Sequence, residues 1–150
     1  MTSTWILVAD AARARLFEAT GRSEPWQEVA CFANPDGRAP GRHATTERAP
    51  RGNDSMGSAR HAIEPHTTLR DKSTDQFAHM LGDALQRGHD DHRYQHLVLV
   101  APPRFLGFLR KALDEQVAKQ VLASLDRDLT RVYTAAEVQS HLPDPIYAAT

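Results

Sequence analysis

The chain is poor in cysteine and aromatic residues, has no long apolar run and carries almost no net charge. Each shortage narrows what it can be. A lone cysteine, Cys31, excludes an intramolecular disulfide and suits a reducing compartment. It falls in the apolar run Val29-Ala30-Cys31-Phe32, where a small buried hydrophobe is expected. The longest apolar stretches, residues 5–9 and 97–101, are far too short to cross a bilayer. The start, Met1-Thr2-Ser3-Thr4, lacks the positive region of a secretory signal. No membrane insertion and a cytoplasmic location are therefore expected. A formal net charge of -1 argues against global attraction to a polyanion and leaves only a local patch for that purpose. There is no Gly-x-Ser-x-Gly elbow, no His-Glu-x-x-His pair and no Gly-x-x-x-x-Gly-Lys-Ser/Thr loop.

What is present suffices for one core. The chain has 150 residues, 41% hydrophobic and 25% charged, the balance of a single soluble domain over 1–150. Residues 4–9 are continuously apolar and read as a buried central strand. Residues 15–19 and 26–33 read as second and third strands. The link at 11–14 is a connector or a helical turn. Short links between three strands imply an antiparallel meander. Residues 34–65 then hold four of the eight glycines and four of the nine prolines, with few apolar residues. That composition cannot repay its own ordering, so a long flexible loop is expected after the third strand.

Order resumes near Lys72. Ser73-Thr74-Asp75-Gln76 has the spacing of a capping box. Phe77, Met80, Leu81, Ala84 and Leu85 then share a helical face, and Gly88 is placed to end the helix. Residues 97–101 form a further buried strand. Phe105, Leu109, Leu113 and Val117 make the stripe of a second helix, widened by Leu106. Residues 121–125 could extend that helix or form a fifth strand, and the strand is favoured. Thr134-Ala135-Ala136-Glu137 is another capping box, opening a short helix that stops at Pro143. The order β-β-β, loop, α-β-α-β-α gives an α/β fold: a ribonuclease-H-like mixed five-stranded sheet flanked by helices.

Candidate chemistry is sparse. A nuclease of this architecture needs clustered carboxylates around Mg²⁺. Asp10, at the end of the first strand, is a candidate, with Asp126, Asp128 and Asp75 as partners. The strand itself is wholly apolar, which favours Asp10 as a turn residue. His89, His92 and His96 are the closest histidine set, but they lie in a link with no helix face to align them, so a polar turn is expected there. No metal or cofactor is expected. Gly107 costs a helix about 1 kcal/mol against alanine, and close helix–sheet approach is its expected reason. Two prolines weaken the Ala101-Pro102-Pro103-Arg104 junction as an anion cradle, because they remove backbone donors. The best candidate contact with an anionic partner is Asp36-Gly37-Arg38-Ala39-Pro40-Gly41-Arg42. Arginine pairs with phosphate, and glycine admits close approach. The candidate binding residues are thus Arg38 and Arg42, with Arg13, Arg15 and Arg104 as helpers.

Four segments together resemble the bacterial host-attachment protein family. They are Trp5-Ile6-Leu7-Val8-Ala9-Asp10-Ala11-Ala12-Arg13-Ala14-Arg15-Leu16-Phe17, the Asp36-Gly37-Arg38 loop, Leu97-Val98-Leu99-Val100-Ala101-Pro102-Pro103-Arg104-Phe105-Leu106-Gly107-Phe108-Leu109-Arg110, and Leu125-Asp126-Arg127-Asp128-Leu129-Thr130. The resemblance spans nearly the whole chain and supports a strand at 121–125. The family is also similar to the central domain of archaeal and eukaryotic-type peptide release factors. That similarity implies a ribonuclease-H-like fold and a ribosome-linked role. The release-factor Gly-Gly-Gln tripeptide is absent here, so peptide release is not expected. The leading expectation is a non-catalytic binding module that contacts the ribosome, structured RNA or a protein, with any part in host attachment indirect. The alternatives are a Mg²⁺-dependent nuclease and a structural or adhesion-related protein with a protein partner.

Overall fold

A computed structural model describes residues 2–21, 24–36, 58–131 and 134–142, with backbone alone over 58–68. A five-stranded sheet runs in the order β3-β2-β1-β4-β5, formed by β1 (Thr4–Ala9), β2 (Arg13–Ala19), β3 (Gln27–Ala33), β4 (His96–Val100) and β5 (Val121–Leu125). The first three strands pair antiparallel, β1 pairs parallel with β4, and β4 pairs parallel with β5. The fold is therefore α/β with a mixed sheet. The strand favoured at 121–125 is present.

All six residues of β1 are buried, because the strand is central and both its faces are covered. Trp5, Leu7 and Ala9 face one core, shared with Leu97, Leu99, Phe77, Leu81 and Phe105. Ile6 and Val8 face the other, shared with Phe17, Trp26, Val98, Val100 and Val138. The edge strand β3 is mostly exposed, with a register shift opposite Leu16 and Phe17. Cys31 lies on it and is exposed, contrary to the expectation of burial. The run around it is apolar, but strand residues alternate sides, and only Ala30 and Phe32 turn to the core.

The first core is closed by α1 (Ser58–Asp90), α2 (Pro103–Ala112) and the short α3 (Glu115–Ala118). Helix α1 begins inside the segment expected as a loop; residues 37–57 of that segment lie outside the described residues. Ser73-Thr74-Asp75-Gln76 is thus an interior turn of α1 and not its start. Leu69 is still 62% exposed, and Phe77, Ala78, Leu81 and Leu85 carry the buried face. Met80, expected on that face, is exposed. The second expected helix divides at Leu113, which caps α2. Asp114 then accepts from the Gln116 amide to open α3, and Val117 is buried there. The second core is closed by α4 (Ala135–Ser140), where Thr134 and Glu137 make both hydrogen bonds of the expected capping box.

Helix α1 does not stop at Gly88. Its last turn closes with Arg93 N–H on Gly88 O at 2.8 Å and His92 N–H on His89 O at 3.0 Å. That is a Schellman pattern, with His92 in the left-handed position at φ 56°. Gly88 serves packing instead. A Cβ there would lie 2.5 Å from the Trp5 ring, which stacks on Tyr94 at 4.7 Å between centroids. The two positions should respond oppositely in urea denaturation. Gly88→Ala is expected to destabilise by about 1–3 kcal/mol through overpacking. His92→Gly is expected to stabilise by about 0.5–1 kcal/mol by relieving the left-handed residue.

The buried Tyr94 hydroxyl donates to Leu85 O at 2.8 Å. Burial, and secondarily the Asp90 carboxylate, push it up to about 12. An unfolded phenol titrates near 10. The folded value is the higher one, so this contribution is fully present below about pH 10 and is lost as pH rises toward 12. Urea midpoints of the parent should therefore fall steeply above pH 10. Tyr94→Phe should cost about 1 kcal/mol at neutral pH, by loss of the hydrogen bond, and should flatten the alkaline decline.

Candidate functional site

The parallel strands β1, β4 and β5 deliver their carboxyl ends to one edge of the sheet. In open α/β sheets ligands favour the crevice outside that edge. Here the edge is built by Asp10, by Pro102 and Pro103 leading into α2, and by residues 126–130 after β5.

Asp10 holds the turn between β1 and β2. Its Oδ1 accepts the amides of Ala12 at 2.8 Å and Arg13 at 2.9 Å. Its own N–H donates to Arg13 O at 2.8 Å. Its Oδ2 lies 2.9 Å from the Thr130 hydroxyl, which also lies 2.6 Å from Asp128 Oδ1. One hydroxyl proton thus serves two carboxylate oxygens and ties the first strand to the segment after the last. Thr130 is only 4% exposed. Asn34 makes a matching tie. Its side-chain amide donates to Ala11 O at 3.0 Å and to Ser73 Oγ at 3.2 Å, joining the end of β3 to the first turn and to α1.

These contacts decide the fit for a divalent cation. Asp10 and Asp128 do converge, as the nuclease alternative requires, but both Asp10 oxygens already accept protein donors. Asp75 faces His79, with Nδ1 to Oδ2 at 3.6 Å, and Asp126 is exposed. No group of three or more histidine, cysteine or acidic side chains among the described residues has metal-binding geometry. The donor set does not fit Mg²⁺. His89 lies 3.6 Å from Asp90, His92 forms the helix end and His96 begins β4, so those three do not converge.

The arginines divide between the faces. Arg15 binds Glu28 through two hydrogen bonds, 3.1 and 3.0 Å long, and lies over Phe17. The hydrogen bond to Glu28 raises Arg15 above its ordinary value, and Arg15 holds Glu28 below the usual carboxylate range. Arg15 is therefore engaged within the sheet. Arg13 is exposed and precedes it on the same side of β2. Arg104 lies on the opposite face, in the first turn of α2. It pairs with Asp71, lies over the Phe108 ring, and has a side chain 70% exposed. The helper arginines thus share an end of the sheet but do not form one patch. Arg38 and Arg42 lie outside the described residues. Sequence reasoning missed Asn34, Asp71 and Thr130. The Asn34-Pro35 pair is a turn signal that could have pointed to Asn34, but nothing local marks Thr130 as the partner of Asp10, 120 positions away.

Fold and site together define an α/β domain whose conspicuous edge is a hydrogen-bonded strand-end network flanked by arginines. A family described as "Protein required for attachment to host cells" matches residues 5–142, and the chain belongs to it. No relative among curated proteins matches. A solved structure described as "Archaeal protein" is similar at 11% identity with a TM-score of 0.46, covering 92% of this chain and 36% of its own. The chain thus spans 36% of that structure's length. No helix among the described residues is long and apolar enough to cross a membrane.

The Asp10 turn makes a direct prediction. Asp10→Ala removes the oxygen that accepts both amides, together with the Thr130 contact, and should cost about 2–3 kcal/mol in urea denaturation. Asp10→Asn keeps an acceptor oxygen for the turn and should cost less than half as much. Equal losses would show that the turn does not depend on that oxygen.

Proposed function

We propose that this protein is a non-catalytic binding module that contacts structured RNA, with the ribosome as the natural setting and any part in host attachment indirect. The observation that carries the reading is the split at the strand ends: Asp10 is committed to internal donors, whereas Arg13 and Arg104 project outward. A strand-end carboxylate already engaged by internal donors, beside exposed cations, suits phosphate contact better than metal-assisted cleavage.

The strand order β3-β2-β1-β4-β5, antiparallel then parallel, supports a ribonuclease-H-like reading. It is in keeping with the likeness to the central domain of release factors. The absent Gly-Gly-Gln tripeptide separates the proposed role from peptide release. A location inside the cell belongs to the same proposal. Arg38 and Arg42 stay within it as further proposed contacts.

The test is co-sedimentation of the purified chain with ribosomes and with a structured RNA across a salt series. Association should weaken steadily with salt, and Arg13→Gln or Arg104→Gln should each reduce the logarithmic salt slope by about 0.7–0.9. Association that ignores salt, or a complex with a protein that survives complete RNase digestion, would reject RNA as the partner.

A further inference from the structure

Gly107 stands in the middle of α2, where glycine costs a helix about 1 kcal/mol against alanine. The expected reason, close packing, does not hold. Gly107 is exposed, and a Cβ built there meets nothing within 4 Å among the described residues. Two other glycines show what packing would look like. Gly82 would set a Cβ 2.8 Å from Ala112 O, and Gly88 would strike Trp5. Among the described residues, packing requires those two and gives no reason for Gly107.

On a helix surface the neighbours of a residue are three and four positions away. For Gly107 these are Pro103, Arg104, Arg110 and Lys111, all exposed. No acidic residue occurs in α2. Asp71 pairs with Arg104, while Arg110 and Lys111 form no ion pair among the described residues. A bare stretch of helix backbone is therefore ringed by three cations. Beside it the Arg104 guanidinium carbon lies 5.6 Å from the centroid of the half-buried Phe108 ring, a cation–aromatic pair.

We infer that the outer face of α2 is a contact site for an unpaired stretch of the structured RNA, with a phosphodiester seated over Gly107 between Arg104, Arg110 and Lys111. Missing side-chain bulk lets the phosphate approach the helix, and the three cations oppose its charge from both sides. The Arg104–Phe108 pair offers stacking groups for a neighbouring unpaired base, which favours a nucleic acid over an acidic protein. Asp71 releases Arg104 or shares it when the phosphate arrives. This inference rests on the proposed RNA-binding role and locates it on one helix.

The test uses the full chain, a fluorescein-labelled 20-nucleotide single-stranded RNA, and thermal melting. Gly107→Ala should raise the melting midpoint by about 2–4 °C and weaken RNA binding about fivefold. Gly107→Gln, also a good helix former, should weaken it further. Arg110→Gln and Lys111→Gln should each reduce the logarithmic salt slope by about 0.7. Opposite effects on stability and binding distinguish a contact glycine from a structural one. A lower melting midpoint for Gly107→Ala, or unchanged binding by it, would overturn the inference. So would a polyglutamate peptide of equal charge that competes as well as the RNA. If the parent binds RNA with a normal salt slope and all four α2 variants match it, the site falls and the RNA-binding role stands. If the parent binds neither this RNA nor, in the co-sedimentation series, ribosomes or structured RNA, both fall.

Discussion

Strand β1 can occupy only the interior of a sheet covered on both sides, because its six residues are all buried and none supplies a polar face. That constraint orders the rest. It requires a strand on each flank, which β2 and β4 provide, and a layer on each face. One layer is α1 with α2, meeting Trp5, Leu7 and Ala9. The other is α4 with Trp26 and Leu129, meeting Ile6 and Val8. The chain leaves this strand at Asp10, so the end of the most buried element is also where polar residues of distant segments gather.

The gathered residues behave as joinery. Asp10, Thr130 and Asp128 link the first strand to the segment following the last, and Asn34 links the third strand to α1. A carboxylate that already accepts backbone amides and a hydroxyl has little capacity left for a cation. The cations face outward instead. Arg104 and the α2 cluster are supported by a helix whose inner side, Phe105, Leu106 and Leu109, is fixed in the core. A rigid inner face and a charged outer one make α2 better suited to holding a partner than a segment with no packed side.

Much of the architecture was legible in the sequence because its signals are short-ranged. Strands β1 and β4 announce themselves as compact apolar runs, whereas 121–125 stayed open between strand and helix extension, and Thr134 with Glu137 announced α4 through a capping box that forms as expected. The misreadings share a cause: a local pattern has more than one use. Ser73-Thr74-Asp75-Gln76 has capping-box spacing, yet it is an interior turn of α1, with Ser73 accepting from Asn34. Gly88 has the place of a helix stop, yet it clears room for Trp5, while His92 takes the left-handed position. Cys31 sits in an apolar run, but edge position and alternation leave it exposed.

By itself the sequence determined which segments are central and which are amphipathic, since those follow from composition and period along the chain. Only the tertiary structure decided which polar residues meet. The Asp10–Thr130 contact joins positions 120 apart, and the lack of any packing partner for Gly107 among the described residues is a fact about neighbours that no local pattern contains. Burial periodicity is written in consecutive residues. Contact between distant side chains, or the lack of it, arises only when the sheet and its covering helices close.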